Sequence, residues 1–264
     1  MTLKLYHNDM SSCSQKVRLC LAEKSLDWED GHLDLRAGEH QQPWYIKLNP
    51  RAVVPTLIDG DIVVPESNVI NEYLDERFPD PPLKPDTAFG RARMRLWTKQ
   101  LDEGVHDAGI AVISFALAFR QQYVDRGEAG KAMLENIPDP IKRERRRDVI
   151  EKGIESSHFK VALKRMLALY DDMEAALADH RFLVGDQYTI ADAAFTPYVN
   201  RLDHLDIMGV FENHPQVLHW YRRLQQRPSF ENAITRWENE KYLTLMKRAG
   251  RDNWPRIQEI MHAM

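Results

Sequence analysis

The stretch LKLYHNDMSSCSQKVRLCLAEK, residues 3–24, decides how the chain is read. Residues 3–6 alternate, with Leu3 and Leu5 on one face, the pattern of a short strand. A polar loop follows, from His7 to Ser12. Val17, Cys20, Leu21 and Ala22 then recur at helical spacing, which predicts a helix over about 13–24. Ser11, Ser12 and Cys13 therefore stand where a strand hands over to a helix start. Unpaired backbone N–H groups and partial positive charge favour an anion there. In that field a serine hydroxyl can donate to a thiolate, and a cysteine has its own pKa lowered. Plain helix capping is the alternative for the serines.

Working outward, WEDGHLDL at 28–35 is a weaker strand candidate with a glycine inside it, as an edge strand has. Strand, helix and strand in this order predict a parallel pair. TLIDGDIVV at 56–64 holds two apolar runs split by Asp59-Gly60-Asp61, a hairpin signal. SNVINEYLDERF at 67–78 reads as a helix with Ser67 as its cap and Val69, Ile70, Tyr73 and Leu74 as its stripe. These elements make a four-stranded α/β domain over residues 1–79. PDPPLKP at 79–85 is four-sevenths proline, a stiff linker placed at 80–85. Residues 86–264 form the second domain, all helix, with helical periodicity over 88–125, 141–152, 158–179, 190–205, 215–226 and 228–248. Residues 125–140 break the pattern and read as a long loop. Thr189-Ile190-Ala191-Asp192 matches a capping box.

Composition narrows the function classes. The chain has 264 residues and a net charge of −4, which argues against a nucleic-acid binder, whose footprint is a basic stripe. The one basic run, KRERRR at 142–147, sits beside Asp148, Glu151 and Glu155 and reads as a solvated helix face. The longest uncharged apolar run, residues 108–119, holds 12 residues, against the ~20 a bilayer requires. No apolar core follows Lys4 as in a signal peptide. Two cysteines offer no disulfide framework and fit a reducing cytoplasm. Cys13 and Cys20 on one helix would lie about 10 Å apart, beyond disulfide reach. No metal-ligand spacing stands out among the ten histidines.

Three further signals join the Ser11–Cys13 turn. Pro55 in VVP, just before a strand, can hold its peptide bond cis and leave Val54 to pair with an extended peptide. In PES, Glu66 can accept an ammonium group, and Ser67, with its N–H at a helix start, can bind a carboxylate. The loop GEHQQPWYIKLNP at 38–50 carries His40, Gln41 and Lys47. Together they offer an anchor for an amino-acid end, a pairing edge and a thiolate cradle. A short peptide with a central cysteine fits that description.

On these residues the chain resembles a known family. LKLY with SSCSQKVRLCL, GEHQQPWYIKLNPRAVVPTLIDGD and ESNVINEYLDERFP are similar to the glutathione transferase superfamily, and YTIADAAF resembles that family's capping box. The resemblance spans nearly the whole chain, in order and at matching spacing. SSCS followed by a basic residue and VR is similar to the zeta class and to serine-type bacterial members, among them reductive dehalogenases and β-etherases. The chain departs from tyrosine-type members, since Tyr6 sits too early, on the strand. It departs from the zeta pattern at Gln15, where an aromatic or histidine is usual.

The resemblance implies a thioredoxin-like domain that binds glutathione as co-substrate, an all-helical domain for the acceptor, no metal, and a cytoplasmic homodimer. By position, Ser11 steadies the glutathione thiolate, with Ser12 and Cys13 lining the same site. His40 meets the glycyl end, Val54 before a cis Pro55 pairs with the cysteinyl backbone, and Glu66 and Ser67 hold the γ-glutamyl end. Asp102 is the candidate acid supplied from a partner subunit. Met10, Trp97, His106 and Ile113 are candidates for a pocket that takes a small hydrophobic substrate, with residues 237–264 as a lid. The implied activity is attack of glutathione on a small apolar or aromatic electrophile. Reductive dehalogenation, β-aryl ether cleavage or isomerisation using Cys13 is the alternative, and a non-catalytic glutathione-binding or scaffold protein is a further one.

Overall fold

The strand β1 (Leu3–His7) buries Leu3, Leu5 and His7 and leaves Lys4 and Tyr6 half covered, the alternation the sequence shows. The computed structural model describes residues 2–264. The helix α1 (Ser12–Glu23) follows, and β2 (Trp28–His32) then pairs parallel to β1. A single 3₁₀ turn (Glu39–Gln41) and α2 (Pro43–Leu48) lead to β3 (Thr56–Asp59) and β4 (Ile62–Pro65), joined as a hairpin. The sheet order is β2-β1-β3-β4, with β3 antiparallel to β1. The helix α3 (Ser67–Arg77) packs beside α1, where Asn71 Nδ2 donates to the Lys16 carbonyl at 3.4 Å. This is the four-stranded α/β arrangement expected. One detail is corrected: the cap of α3 is Glu66, and Ser67 is its first helical residue.

The helices are α4 (Ala88–Gln100), α5 (Ala111–Ser114), α6 (Arg120–Val124), α7 (Glu128–Glu135), α8 (Pro140–Lys152), α9 (Ser157–Leu177), α10 (Ile190–His204), α11 (Pro215–Gln225), α12 (Pro228–Ala233) and α13 (Glu240–His262). Residues 101–110 and 115–119 are wide helical turns between the early ones. The helix expected over 88–125 is thus not continuous. It breaks at Glu103-Gly104, where Gly104 takes φ 118°, a conformation that costs a glycine little. The expected loop at 125–140 contains α7, because Leu134 buries its side chain although glycines and prolines surround it. The helix expected over 228–248 ends at Ala233 and restarts at Glu240. Among the described residues no helix is long and apolar enough to cross a membrane.

The chain forms two compact units. The first runs to Thr98 and adds Asp179–Pro197 and His219–Asn239; the second is Lys99–Ala178, Tyr198–Leu218 and Glu240–Met264. Long-range bonds draw the late segments into the first unit. The buried Arg18 on α1 donates from Nε to the Ala233 carbonyl at 2.7 Å, and Glu23 takes Arg227 in two bonds of 2.7 and 2.6 Å. The capping box forms within this unit. Asp192, fully buried, accepts from the backbone N–H of Thr189 and Leu183 and from the Trp220 indole at 2.9, 3.0 and 2.9 Å. Thr189 Oγ1 returns the bond to the Ala191 N–H at 3.2 Å.

In the second unit, α9 buries Phe159, Leu163, Met166, Tyr170 and Met173 at helical spacing against the 101–110 turns. The KRERRR run is more engaged than a solvated face: Lys142 pairs with Asp107 at 2.8 Å, Arg147 with Glu135 at 2.6 Å, and Arg146 lies over the Phe115 ring at 3.2 Å. The tail expected as a lid is α13, anchored on its own unit by pairs Arg251–Asp206 and Arg256–Glu155. Gly250 is required there: a Cβ at that position would lie 1.6 Å from the Leu205 carbonyl oxygen. Gly250→Ala is therefore expected to destabilise the chain by about 3 kcal/mol, read as a lower midpoint in denaturant with an unchanged slope.

Candidate active site

The strand register gathers four loops at one end of the sheet. Tyr6 is opposite Thr56, Thr56 is opposite Pro65, and His7 is level with His32. The segments leaving β1, β2 and β4 and the one entering β3 therefore emerge together. They carry Ser11, His40, Glu66 with Ser67, and Val54 with Pro55. The N-termini of α1 and α3 open onto this same end, two sets of unpaired N–H donors that favour negative charge.

Ser11 is the N-cap of α1, in extended backbone at φ −71° and ψ 120°, and is half buried. Its Oγ accepts from the Ser14 N–H at 3.3 Å. Capping uses a lone pair and leaves the hydroxyl proton to donate elsewhere; among the described residues nothing accepts it. Ser12, buried, and Cys13, half buried and outside any disulfide, are the first two residues of α1.

The loop before Ser11 is rigidly held. Arg18, 1% exposed, donates to the carbonyls of Asn8 and Asp9 at 2.9 and 2.8 Å and to His7 Nδ1 at 2.9 Å. His7 Nε2 meets Asp30 at 2.7 Å, and Asn8 Oδ1 takes the Met10 N–H at 3.1 Å. An acceptor Nδ1 and a donor Nε2 define a neutral imidazole. Burial first, then the charge of Arg18, pushes the His7 pKa down to about 4 against the pull of Asp30.

Glu66 has φ 68° and ψ 113°, a left-handed backbone that a residue with a Cβ rarely adopts. Its carboxylate pairs with Arg51 Nη1 at 2.5 Å. Ser67 is buried. The Val54–Pro55 peptide bond is cis and both residues are buried. The loop before them is pinned through the Val53 carbonyl, which accepts from Tyr45 Oη at 2.7 Å and Asn49 Nδ2 at 2.9 Å. His40 is half buried, and its Nδ1 is buried without a partner. Burial lowers its pKa, opposed by Asp34.

Of the other candidates, Met10 lies in the β1–α1 loop directly before Ser11, and the sheet does not bring the rest together with these. Met10 (3% exposed) and Trp97 (9%, edge-on to Phe195) belong to the first unit. Asp102, His106 and Ile113 belong to the second. There Asp102 is exposed, His106 Nδ1 lies 3.1 Å from the Tyr198 hydroxyl, and Ile113 is 1% exposed. No group of three or more histidine, cysteine, aspartate or glutamate side chains among the described residues is arranged to hold a metal ion. Sequence reasoning missed Arg51, Arg18, Tyr45 and Asn49. Arg18 stands in the quoted VR pair, but its role and that of Arg51 carry no local signal, since the groups they bind are set by the fold.

Comparison with known proteins bears on this geometry. Residues 1–76 match the family model of the glutathione S-transferase N-terminal domain, and residues 121–223 match that of the C-terminal domain. The chain is similar to protein LigF of Sphingobium sp. (strain NBRC 103272 / SYK-6), with 30% identity over 94% of this chain and 98% of the relative. It is similar to the tetrachloro-p-hydroquinone reductive dehalogenase of Sphingobium chlorophenolicum, with 29% identity over 88% and 95%. The crystal structure of β-etherase LigF from Sphingobium sp. strain SYK-6 superposes with a TM-score of 0.79 at 28% identity, covering 89% of this chain and all of that one. A mixed four-stranded sheet, a serine-capped helix beside a cis proline loop, and both domain models over their proper segments place the chain in the glutathione S-transferase family, a family of enzymes.

Proposed function

We propose that the chain is a serine-type glutathione transferase in which Ser11 steadies the glutathione thiolate for attack on a small apolar or aromatic electrophile. The observation that carries this reading is the Ser11 hydroxyl, which accepts the capping bond from Ser14 and keeps its proton to donate. A cysteine-type thiol has a pKa above neutrality. A donated hydrogen bond and the α1 N-terminus lower it, releasing the proton to solvent. The thiolate sulfur then forms a bond to the electrophilic carbon, and the leaving group departs with its electron pair.

Glu66 and Ser67 are assigned to the γ-glutamyl end, Val54 to the cysteinyl backbone and His40, with its unpartnered Nδ1, to the glycyl carboxylate through a bound proton or water. Met10 and Trp97 are assigned to the acceptor side within the first unit. A cytoplasmic homodimer is part of the reading. Phe89 and Leu96, 75% and 64% exposed and seven residues apart on α4, support an apolar face for a second copy; light scattering reads the mass directly.

The left-handed Glu66 supports a functional site by its cost. Such a conformation destabilises by on the order of 1–3 kcal/mol and persists where it aims a group. Glu66→Gly is expected to stabilise the fold slightly while weakening glutathione binding by about tenfold, the worth of one charge-assisted hydrogen bond. Denaturant midpoint and calorimetric affinity check the two halves separately.

Cys13 in the first turn of α1 favours a second reading, thiol–disulfide exchange in the service of a reductive or ether-cleaving reaction, the reactions that the names of the dehalogenase and β-etherase relatives give for those proteins. There the Cys13 thiolate attacks the sulfur of a glutathionyl adduct, forming a Cys13–glutathione disulfide while the substrate carbon leaves with the electron pair and takes a proton. A second glutathione thiolate then releases Cys13 and forms glutathione disulfide. Ultraviolet titration of bound glutathione, with turnover of Cys13→Ala, separates the readings: conjugation survives that substitution and exchange does not.

A further inference from the structure

At the opposite end of α1 from Ser11, about 18 Å away along the helix, a cleft of about 340 Å³ lies within the first unit. It is bounded by Glu23, the Pro81–Leu83 segment, the turn from Arg181 to Tyr188, and Arg227. No part of the proposed glutathione chemistry uses it.

Its walls are apolar and its charges are mostly positive. Pro81, Pro82, Leu83 and the Phe182 ring supply the apolar side. Arg181 and Arg223 place guanidiniums 6.0 and 5.9 Å from the Phe182 ring centre, and Arg227 lies 4.4 Å over Tyr188. Two acids are near. Glu23 is fully engaged, one oxygen by Arg227 Nε and the Ser229 hydroxyl, the other by Arg227 Nη2. Asp186 accepts from the backbone N–H of Arg181 at 3.1 Å.

Two lining residues keep a donor without a partner. The exposed Arg181 guanidinium has no carboxylate partner among the described residues. Arg223, behind Phe182 and not part of the lining, spends Nη2 on the Arg181 carbonyl at 2.8 Å. Tyr188, 7% exposed, forms part of the lining and has a buried hydroxyl without a partner. A buried donor without a partner is costly and is rare in a finished structure. A planar guanidinium without a carboxylate partner, beside an aromatic ring, matches an anion carried on a flat apolar body. The volume lies at the small end of ligand sites and is ample for one ring.

We propose that this cleft binds a single-ring aromatic carboxylate, with the ring against Phe182 and the prolines and the carboxylate on Arg181. Fluorine NMR titration of 4-fluorobenzoate into the full chain tests it. Saturable binding with Kd below ~1 mM is expected, unchanged in Ser11→Ala and undisturbed by saturating glutathione. Arg181→Gln is expected to weaken it by about tenfold, and Arg181→Glu to abolish it. Arg181 is exposed, so the fold survives and turnover with glutathione is unaffected. The uncharged 4-fluorobenzamide is expected to bind far more weakly. The proposal is overturned by no saturable binding, by equal binding of the benzamide, by displacement with glutathione, or by indifference to Arg181. None of these outcomes bears on the role of Ser11, which the thiolate titration reads independently.

Discussion

Ser11→Ala is expected to raise the pKa of bound glutathione by about 2 units and to lower kcat/KM by on the order of 10²-fold at neutral pH. The hydroxyl stabilises the anion more than the thiol, so its removal acts on the thiolate fraction and on the transition state, with a small effect on glutathione affinity. Two roles must be separated, since Ser11 also caps α1 through the Ser14 N–H. Loss of a serine cap to alanine costs ~1 kcal/mol, whereas glycine at a cap costs only a few tenths. Ser11→Gly therefore keeps the helix and loses the donor, and Ser11→Thr keeps both. The expected pattern is activity lost in the alanine and glycine variants and largely retained in threonine, with stability lowered chiefly in alanine. Wild-type thiolate titration in Ser11→Gly would reduce Ser11 to a cap and sink the serine-type reading.

The second large effect is acid lability centred on His7. Its neighbours are Arg18 from α1, Asp30 and His32 from β2, and the rings of Trp28 and Trp237. Arg18 donates to Nδ1, so a proton added there would face a guanidinium in a site closed to water. The folded pKa of about 4 lies below the ordinary value near 6.5. Between those values the unfolded chain binds a proton that the folded chain does not, so stability falls as pH falls. The window runs from about 6.5 to about 4, and the loss is about 3 kcal/mol by linkage. The contribution is fully present above 6.5. Denaturant midpoints measured across this window are expected to slope downward toward acid in wild type and to flatten in His7→Gln, which starts less stable. An equal slope in both would assign the acid lability elsewhere. Because Arg18 also holds the carbonyls of Asn8 and Asp9, acidification is expected to loosen the loop that carries Ser11 as it destabilises the unit.

Both effects depend on parts of the chain that are legible to different degrees. The Ser11 turn was readable because its meaning is local: a strand period of two changes to a helical period within ten residues, and a hydroxyl at that junction meets unpaired N–H groups. Pro55 and Glu66 were readable for the same reason, each beside a recognisable strand or helix end. The capping box at Thr189–Asp192 was legible as a spacing, although its extra bonds to Leu183 and Trp220 were not. Where local signals misled, the surroundings overrode them. Glycines and prolines over 125–140 marked a loop, yet burial of Leu134 pays for a helix. Apolar spacing over 88–125 continued without interruption, yet Gly104 breaks the helix, since periodicity does not register one residue of positive φ.

Residue pattern alone carried the element order of the first 78 residues, the family resemblance and the residue types waiting at the sheet's loop end. These follow from periodicity, turn chemistry and caps, each of which acts over a few residues. Only the tertiary structure decided which segments belong to one unit, and which cations reach which acceptors. Arg18 meets a carbonyl 215 residues away, Arg227 meets Glu23 across 204, and the cleft beside Phe182 is assembled from four separated stretches. Long side chains find such partners through packing and burial of the whole chain, forces that have no signature in the spacing of neighbours.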